Sequence, residues 1–390
     1  MVGLDYFLND KWVKRTSKNL DNDMYFTNLP VSHNSKFHFT FKRQVSSDRF
    51  LYDYLKAYEV PRDSNISKDV KLMDFLSLLA IEENLDQGDY TKTVQSIIEI
   101  DSGKKPKTRE EFKIWNLIEI WDLIENDSFQ INEDNYELIV HILFRNMGFD
   151  LDIKADYYRN LKTSTPFKNL LNPQTKIIDK EIQGFLNYIK NLNQKDIGGI
   201  TQAGVILNAF LFIYPYKEFS ITLAFIFARW YLKRNSWNIP IVNPMHSFGI
   251  HWDKFIKKVN ESFEKLNLDS LLEFEKEIIK SGVNDTYCLY LFDNFIQSDQ
   301  SGTTPVFPKF IDKVIAAKII LLNTNVLKEE KIANSLQIRN FQFAKEKEIK
   351  SVIQKMLDLK FLAKKEEKQS SFFELNDQFL QKIRLLLKEK

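Results

Sequence analysis

The sequence has few of the residues that cross-link a chain or interrupt a helix. Cys288 is its single cysteine, so the chain cannot form an intramolecular disulfide. A lone thiol is typical of proteins from reducing compartments, and we expect a cytoplasmic protein. Glycine (11 residues) and proline (10 residues) are scarce in a chain of 390, which favours long helices over a turn-rich β protein.

The chain also lacks a strong charge imbalance and a long apolar run. A formal net charge of +2 excludes a protein that is basic throughout, although one domain could still bind nucleic acid. The two most apolar stretches, residues 204–216 and 221–232, are both shorter than the ~20 residues that cross a bilayer. The first residues carry no secretory signal pattern. We therefore expect two buried core helices and no membrane association.

What the chain does have is apolar and aromatic residues at helical spacing. Hydrophobic residues make up 44% of the sequence and aromatic residues 14%, enough for a substantial core. Alternation of polar and apolar residues over 36–42 predicts one strand, so the fold class is mostly α. Helical periodicity predicts helices over residues 70–85, 108–125, 132–143, 179–192, 203–214, 220–235, 247–266 and 270–280. The pattern Thr108-Arg-Glu-Glu111 is a capping box at the start of the second of these helices.

The C-terminal part follows a polar segment, residues 299–305, that is the best candidate linker. Beyond it the pattern predicts three helices (309–322, 329–336, 343–359) and two strands (361–365, 371–375), an order that resembles a winged helix-turn-helix domain. Glutamates interleave with its basic residues, so DNA binding and a protein-interaction role both stay open. The candidate nucleic-acid contacts are Arg339, Lys345, Lys347, Lys350, Lys364 and Lys365.

The segment 210–222 carries the most informative motif. It resembles the signature of the Fic (Fido) family, His-Pro-Phe-x-Asp/Glu-Gly-Asn-Gly-Arg-x-x-Arg. Pro215, Tyr216 and Glu218 match the proline, the aromatic residue and the acid. Tyr214 stands at the position of the catalytic histidine. The later glycines, asparagine and arginines of the signature are replaced by Phe219, Ser220, Ile221, Thr222 and Phe225.

Two upstream segments extend this resemblance to roughly residues 70–240. Residues 80–84, which include Glu82, are similar to the inhibitory helix of the family. Residues 156–160, which include Arg159, are similar to the segment before its target-binding flap. The resemblance implies a Fic-type helical core with a small β flap. The expected domains are an N-terminal segment with a β element (1–65), a degenerate Fic domain (66–298) and a winged-helix domain (305–390).

The resemblance also implies a chemistry, the transfer of AMP from ATP to a protein hydroxyl with Mg²⁺ on the acid. By position, Tyr214 and Glu218 are the candidate catalytic residues and Glu218 is the candidate metal ligand. Ser220, Thr222 and Arg159 are the candidate nucleotide-binding residues, and Glu82 is the candidate regulatory residue. A tyrosine with an ordinary pKa of ~10 is a poor general base at neutral pH. Bulky residues also replace the glycines that let a backbone approach phosphates.

The sequence therefore predicts a degenerate Fic protein that lacks AMP transfer and acts as a binding or regulatory module with a protein partner. One alternative is an adenylyltransferase or other nucleotide-dependent transferase with a rebuilt site. Another is a winged-helix DNA-binding transcriptional regulator. Self-association into a homodimer also stays open.

Overall fold

The computed structural model describes the chain in segments. They are residues 4–8, 11–15, 24–30, 38–42, 45, 47–58, 60, 66–82, 90–147, 156–168, 175–190, 192, 197–235, 245–293, 306–322, 328–338, 341–367 and 370–377. The expected linker, residues 299–305, lies outside these segments.

Helices dominate the described residues, which confirms the mostly α fold class. None of these helices combines the length and apolarity that a bilayer crossing needs. In chain order they are α1 (Arg49–Ala57), α2 (Ser67–Ile81), α3 (Tyr90–Asp101), α4 (Arg109–Glu125), α5 (Glu133–Phe144), α6 (Thr175–Lys190), α7 (Gly199–Ile213), α8 (Ser220–Asn235), α9 (Met245–Ile250), α10 (Trp252–Lys265), α11 (Asp269–Leu291), α12 (Phe310–Leu322), α13 (Glu329–Ser335) and α14 (Glu346–Asp358).

The described strands pair as antiparallel two-stranded ribbons. The expected strand over 36–42 is confirmed as β4. The expected strands of the C-terminal part are confirmed as β7 and β8, whereas β1, β2, β3 and the short β5–β6 ribbon were not predicted. The pairs are β1 (Leu4–Leu8) with β2 (Lys11–Arg15), β3 (Met24–Pro30) with β4 (His38–Lys42), β5 (Gln337–Ile338) with β6 (Phe341–Gln342), and β7 (Leu362–Glu367) with β8 (Ser370–Leu375).

The chain divides into two compact units. The first comprises Met1–Tyr52, Thr93–Ile239 and Trp252–Ile278, and the second comprises Asp53–Lys92, Pro240–His251 and Ile279–Lys390. The expected division at residues 65 and 298–305 stays a prediction.

Helix α7 is the centre of the first unit. All of its residues from Ile200 to Ile213 are buried, and a helix that is apolar on every side belongs in a core. Helix α8 packs along it, and α6 covers another side. Three rings interlock between these helices, with Phe210 lying 5.2 Å from Phe185 and 4.9 Å from Phe227. This packing anchors the C-terminal turns of α7.

A carboxylate from a distant part of the chain caps the start of α7. Its N-cap residue, Gly198, has no side chain. Asp48 Oδ2 instead accepts hydrogen bonds from the backbone N–H groups of Ile200 (2.8 Å) and Thr201 (3.1 Å). A Cβ at Gly198 would lie 2.1 Å from Asp48 Oδ2, so the close approach requires glycine. Lys276 Nζ lies 2.9 Å from Asp48 Oδ1 and compensates its charge.

Helix α4 begins with the capping box that the sequence predicts. Glu111 donates its backbone N–H to Thr108 Oγ1 (3.2 Å), and Thr108 donates its own N–H to Glu111 Oε2 (3.2 Å). The two side chains thereby satisfy two N–H groups that a helix start leaves free. The register of α4 is fixed from its first residue.

The second unit has a separate core. Helices α2 and α9 pack together, and α12 packs with α13 and α14. Lys318 and Asp285 form a buried ion pair. His246 is buried beside this core, with Nδ1 3.4 Å from Ser77 Oγ. Burial and the positive charge of Lys318 hold the pKa of His246 well below its usual value.

Most predicted helices differ from the structure by up to four residues at their ends, two differ by more, and α1 and α3 were not predicted. The expected helix over 247–266 is two helices, because α9 is buried on nearly all sides whereas α10 carries an amphipathic stripe. The expected helix over 270–280 continues to Leu291. Val283, Tyr287 and Leu291 extend its buried stripe at a spacing of four residues, and this stripe outweighs the helix-weakening glycine at position 282.

Candidate functional site

The predicted site is the connection between α7 and α8, residues 214–219, which we call the motif loop. Tyr214 ends α7 in the left-handed conformation (φ 44°, ψ 62°), and Phe219 precedes α8 with φ 65°. This conformation costs a non-glycine residue roughly 1–2 kcal/mol. Both side chains are only 4% exposed, and burial of two large aromatic groups offsets that strain.

The guanidinium group of Arg159 lies against the C-terminal end of α7. Its Nε and Nη2 atoms donate to the carbonyl oxygen of Ile213, each at 3.4 Å. The residue is 6% exposed, and this burial lowers the pKa of its guanidinium to about 10, so it stays a cation at neutral pH. A cation at a helix C-terminus also interacts favourably with the helix dipole. Arg159 therefore stabilises the turn into the motif loop.

The segment Tyr157–Arg159 pairs with the motif loop as a short antiparallel bridge. Arg159 donates its backbone N–H to Pro215 O (3.0 Å), and Lys217 donates its N–H to Tyr157 O (2.8 Å). Tyr158 faces Tyr216 across the bridge. The structure thus brings together the segment that resembles the Fic motif and the segment that resembles the start of the flap. The backbone edge of the motif loop is paired with another part of the same chain.

A network of tyrosine hydroxyls lies beneath this bridge. The hydroxyl oxygens of Tyr216 and Tyr136 are 2.9 Å apart, and Tyr158 donates to Asp179 Oδ1 at 2.6 Å. Burial raises the pKa of Tyr136, Tyr158 and Tyr216, so these hydroxyls stay protonated at neutral pH. Sequence patterns did not point to Tyr136 or Asp179, because they lie on α5 and α6, many residues before the motif in the chain.

The one retained acid, Glu218, is bound by two cations of α4. Arg109 Nη2 lies 3.0 Å from Glu218 Oε1, and Lys113 Nζ lies 3.2 Å from Glu218 Oε2. Lys113 also lies 5.6 Å from the centre of the Phe219 ring. The predicted capping box places residues 109 and 113 on one face of α4, but sequence alone did not reveal what this face meets.

The two candidate hydroxyl residues at the start of α8, Ser220 and Thr222, are buried in the protein core. Ser220 Oγ accepts a hydrogen bond from Tyr216 N–H (2.8 Å) and donates one to Tyr216 O (2.9 Å). Ser220 is 0% exposed and Thr222 is 3% exposed. Ser220 thus holds the motif loop closed on itself. A nucleotide-binding role for either residue stays a prediction.

The remaining candidate residues belong to the second unit. Glu82 follows α2 and donates its backbone N–H to Leu78 O at 3.0 Å. Its regulatory role stays a prediction. Arg339 lies outside the described residues. The other candidate DNA contacts are exposed, namely Lys345, Lys347, Lys350, Lys364 and Lys365.

Two of these lysines are already paired with acids. Lys350 is bound to Glu346 one turn earlier on α14, and Lys365 is bound to Glu374 across the β7–β8 ribbon.

Within the described segments, no group of three or more His, Cys, Asp and Glu side chains is arranged to hold a metal ion.

The chain is thus a mostly helical protein in which the motif loop connects two core helices and pairs with residues 157–159. No family model matches it, and no curated protein matches it. Among solved structures, it is similar to the crystal structure of a Fic family protein from Desulfovibrio desulfuricans G20. The likeness has a TM-score of 0.49 and 12% identity, and it covers 83% of this chain and 93% of that one. A likeness at this level assigns neither a family nor an activity to this chain.

Proposed function

We propose that this chain is a degenerate Fic-type protein that lacks AMP transfer and acts as a binding or regulatory module with a protein partner. The same proposal includes domain boundaries at residues 65 and 298–305, a cytoplasmic location and a winged-helix domain in the C-terminal part. The observation that carries it is the state of Glu218, the one acid of the motif, which two cations already neutralise.

The contacts of Glu218 are a poor fit for a magnesium site. Mg²⁺ binds in proteins through one or two carboxylates together with phosphate oxygens and water. Here Arg109 and Lys113 stand where the metal would have to approach, and a cation among two cations is repelled. Mg²⁺ and ATP together would have to break both ion pairs before binding.

The position of the general base supports the same conclusion. Tyr214 is 4% exposed and its ring packs 5.9 Å from the ring of Phe167. A general base must reach the proton that it removes, and a buried tyrosine at a helix end offers no such access to a protein hydroxyl. The loss of base and metal site together argues for a non-catalytic role.

Transfer of label from ATP tests this proposal against the transferase alternative. The purified chain is incubated with α-labelled ATP, Mg²⁺ and cell lysate, beside Glu218→Ala and the matched control Glu110→Ala, an exposed glutamate of α4. We expect no labelled protein and no thermal shift with millimolar Mg²⁺ and ATP. Labelling that Glu218→Ala abolishes and Glu110→Ala retains would establish a rebuilt transferase site.

Five exposed lysines on and beside α14 and β7 favour DNA binding as a second candidate function. Lys345, Lys347 and Lys350 lie at the start of α14, and Lys364 and Lys365 lie on β7. A winged helix contacts phosphates from equivalent elements. Because two of these lysines are paired with glutamates, the patch is weaker than its lysine count suggests.

Salt-dependent anisotropy with a labelled duplex tests this candidate. DNA binding predicts an affinity that falls steeply with salt, and a smaller salt slope in Lys345→Gln/Lys347→Gln. Lys309→Gln, at an exposed lysine of the same unit, is the matched control. An absent or salt-insensitive signal excludes this function.

A further inference from the structure

Helices α7 and α11 approach each other unusually closely at Gly204. A Cβ at this position would lie 2.4 Å from Glu275 Oε2 and 2.7 Å from Leu272 Cδ2. Glycine is therefore the only residue that lets the Glu275 carboxyl lie against the backbone of α7. Glu275 is 3% exposed, so this contact is shielded from water.

One amide group holds the Glu275 carboxyl. Asn208 Nδ2 donates to Glu275 Oε1 (2.7 Å) and to the carbonyl oxygen of Gly204 (2.8 Å). In the described part of the chain, neither Glu275 Oε2 nor Asn208 Oδ1 has a hydrogen-bond partner. Burial of a carboxylate ion with a single hydrogen-bond donor costs free energy, because its charge is poorly solvated. A neutral carboxyl group avoids this cost.

The neighbouring charges are already engaged with other groups. Helix α7 has no titratable side chain. On α11, Lys276 Nζ binds Asp48 Oδ1 (2.9 Å) and the carbonyl oxygen of Val45 (2.6 Å). On α6, the Tyr188 hydroxyl bonds to the side chain of Gln202, and Glu181 is also buried. The basic residues of α8 bind the chain around residues 125–129; they are Arg229, Lys233 and Arg234.

We propose that Glu275 is a proton-dependent latch between α11 and α7. In its neutral form the carboxyl group holds α11 in contact with Gly204 and Asn208 of α7. Loss of the proton places a poorly solvated charge in this contact and loosens α7, the helix that leads into the motif loop. This role is independent of whether the motif loop binds a nucleotide or a protein.

The direction of the pH effect follows from burial. Burial raises the pKa of Glu275 from 4.5 to about 8, although Asn208 and Lys276 act in the opposite direction. In an open or unfolded state the same carboxyl group ionises near 4.5. Stability from the latch is therefore complete below about pH 4.5 and is lost as the pH rises towards 8. Opening becomes about tenfold easier for each pH unit in that window and levels off above it.

Hydrogen exchange of α7 measures this opening directly. Peptides that cover Gly199–Ile213 are followed between pH 5 and 8.5 after correction for the intrinsic exchange rate. In the wild type we expect protection to fall about tenfold per pH unit up to about pH 8. Glu275→Gln keeps the shape and removes the titration, so its protection should not depend on pH. Glu273→Gln, at an exposed glutamate of the same helix, should retain the wild-type slope.

A carbon-13 titration of the glutamate carboxyl groups keeps the proposal testable if Glu275→Gln does not fold. The wild type should show one carboxyl resonance that titrates near pH 8, far from the others. The proposal is wrong if no glutamate carboxyl group titrates near pH 8. It is also wrong if Glu275→Gln folds and keeps the slope of the wild type.

Discussion

Replacement of Asp48 by alanine should destabilise the protein more than an ordinary surface change. Asp48 accepts hydrogen bonds from Ile200 N–H, Thr201 N–H and the Thr201 hydroxyl, and it pairs with Lys276. Loss of a helix cap costs about 0.5–2 kcal/mol. Removal of one partner from a buried ion pair costs about 3–5 kcal/mol, because the other charge is left uncompensated.

These contributions overlap, since the same carboxylate makes all the contacts. We therefore expect about 3–5 kcal/mol in total, a large part of the ~5–15 kcal/mol that stabilises a typical domain. Lys276 keeps its hydrogen bonds to the carbonyl oxygens of Val45 and Ser47, which limits the loss. Asp48→Asn should cost less, because it keeps one acceptor for the N–H groups of α7.

Urea unfolding followed by circular dichroism measures the effect. The matched control is Asp53→Ala, an exposed aspartate on α1 that should change stability by less than about 0.5 kcal/mol. A double-mutant cycle with Lys276→Met isolates the ion pair, and the double variant should be more stable than the sum of the two single losses predicts. A cost below about 1 kcal/mol for Asp48→Ala, or strict additivity in the cycle, would refute the reasoning.

Three further predictions concern the second unit. Lys360 follows α14 with φ 59°, so Lys360→Gly should stabilise the protein by about 0.5–1 kcal/mol in urea unfolding, whereas Lys360→Ala should not. Burial raises the pKa of Cys288 to about 12, so the native thiol should react with a thiol reagent far more slowly than the unfolded chain, and equal rates would exclude this. Because burial lowers the pKa of His246, the unfolded state takes up its proton first, so this residue should lower stability below about pH 6.5 by up to ~1.4 kcal/mol per pH unit, opposite in sign to the effect of Glu275. Urea titrations at pH 7 and 5 check this, because the stability of His246→Gln relative to the wild type should rise as the pH falls from 7 to 5.

Local patterns predicted much of the helical architecture. The capping box at Thr108 is confirmed, because it is a contact between residues three apart. The predicted helix start at Asn132 is also confirmed, since the Asn132 side chain caps α5. Helix α8 has the predicted bounds, since apolar residues dominate the sequence from Ile221 to Leu232. Periodicity was less informative where the apolar stripe changes its face, which is why the break at His251 was not predicted.

The sequence located the loop between α7 and α8 but not the contacts of that loop. The resemblance located the motif loop and the segment around Arg159, and the structure brings these two together. It did not reveal the ion pairs of Glu218, because Arg109 and Lys113 precede it by about a hundred residues. Contacts of this kind depend on tertiary packing, which one sequence does not encode in any local pattern.

The cap that Asp48 supplies to α7 also has a consequence for the order of folding. The capping bonds join residues that are 152 and 153 positions apart. Closing such a long loop is slow compared with forming a helix, because its entropic cost comes before its contacts form. The first turn of α7 should therefore form late, after the chain near residue 48 has docked. Substitutions at Asp48 should accelerate unfolding and leave the folding rate nearly unchanged.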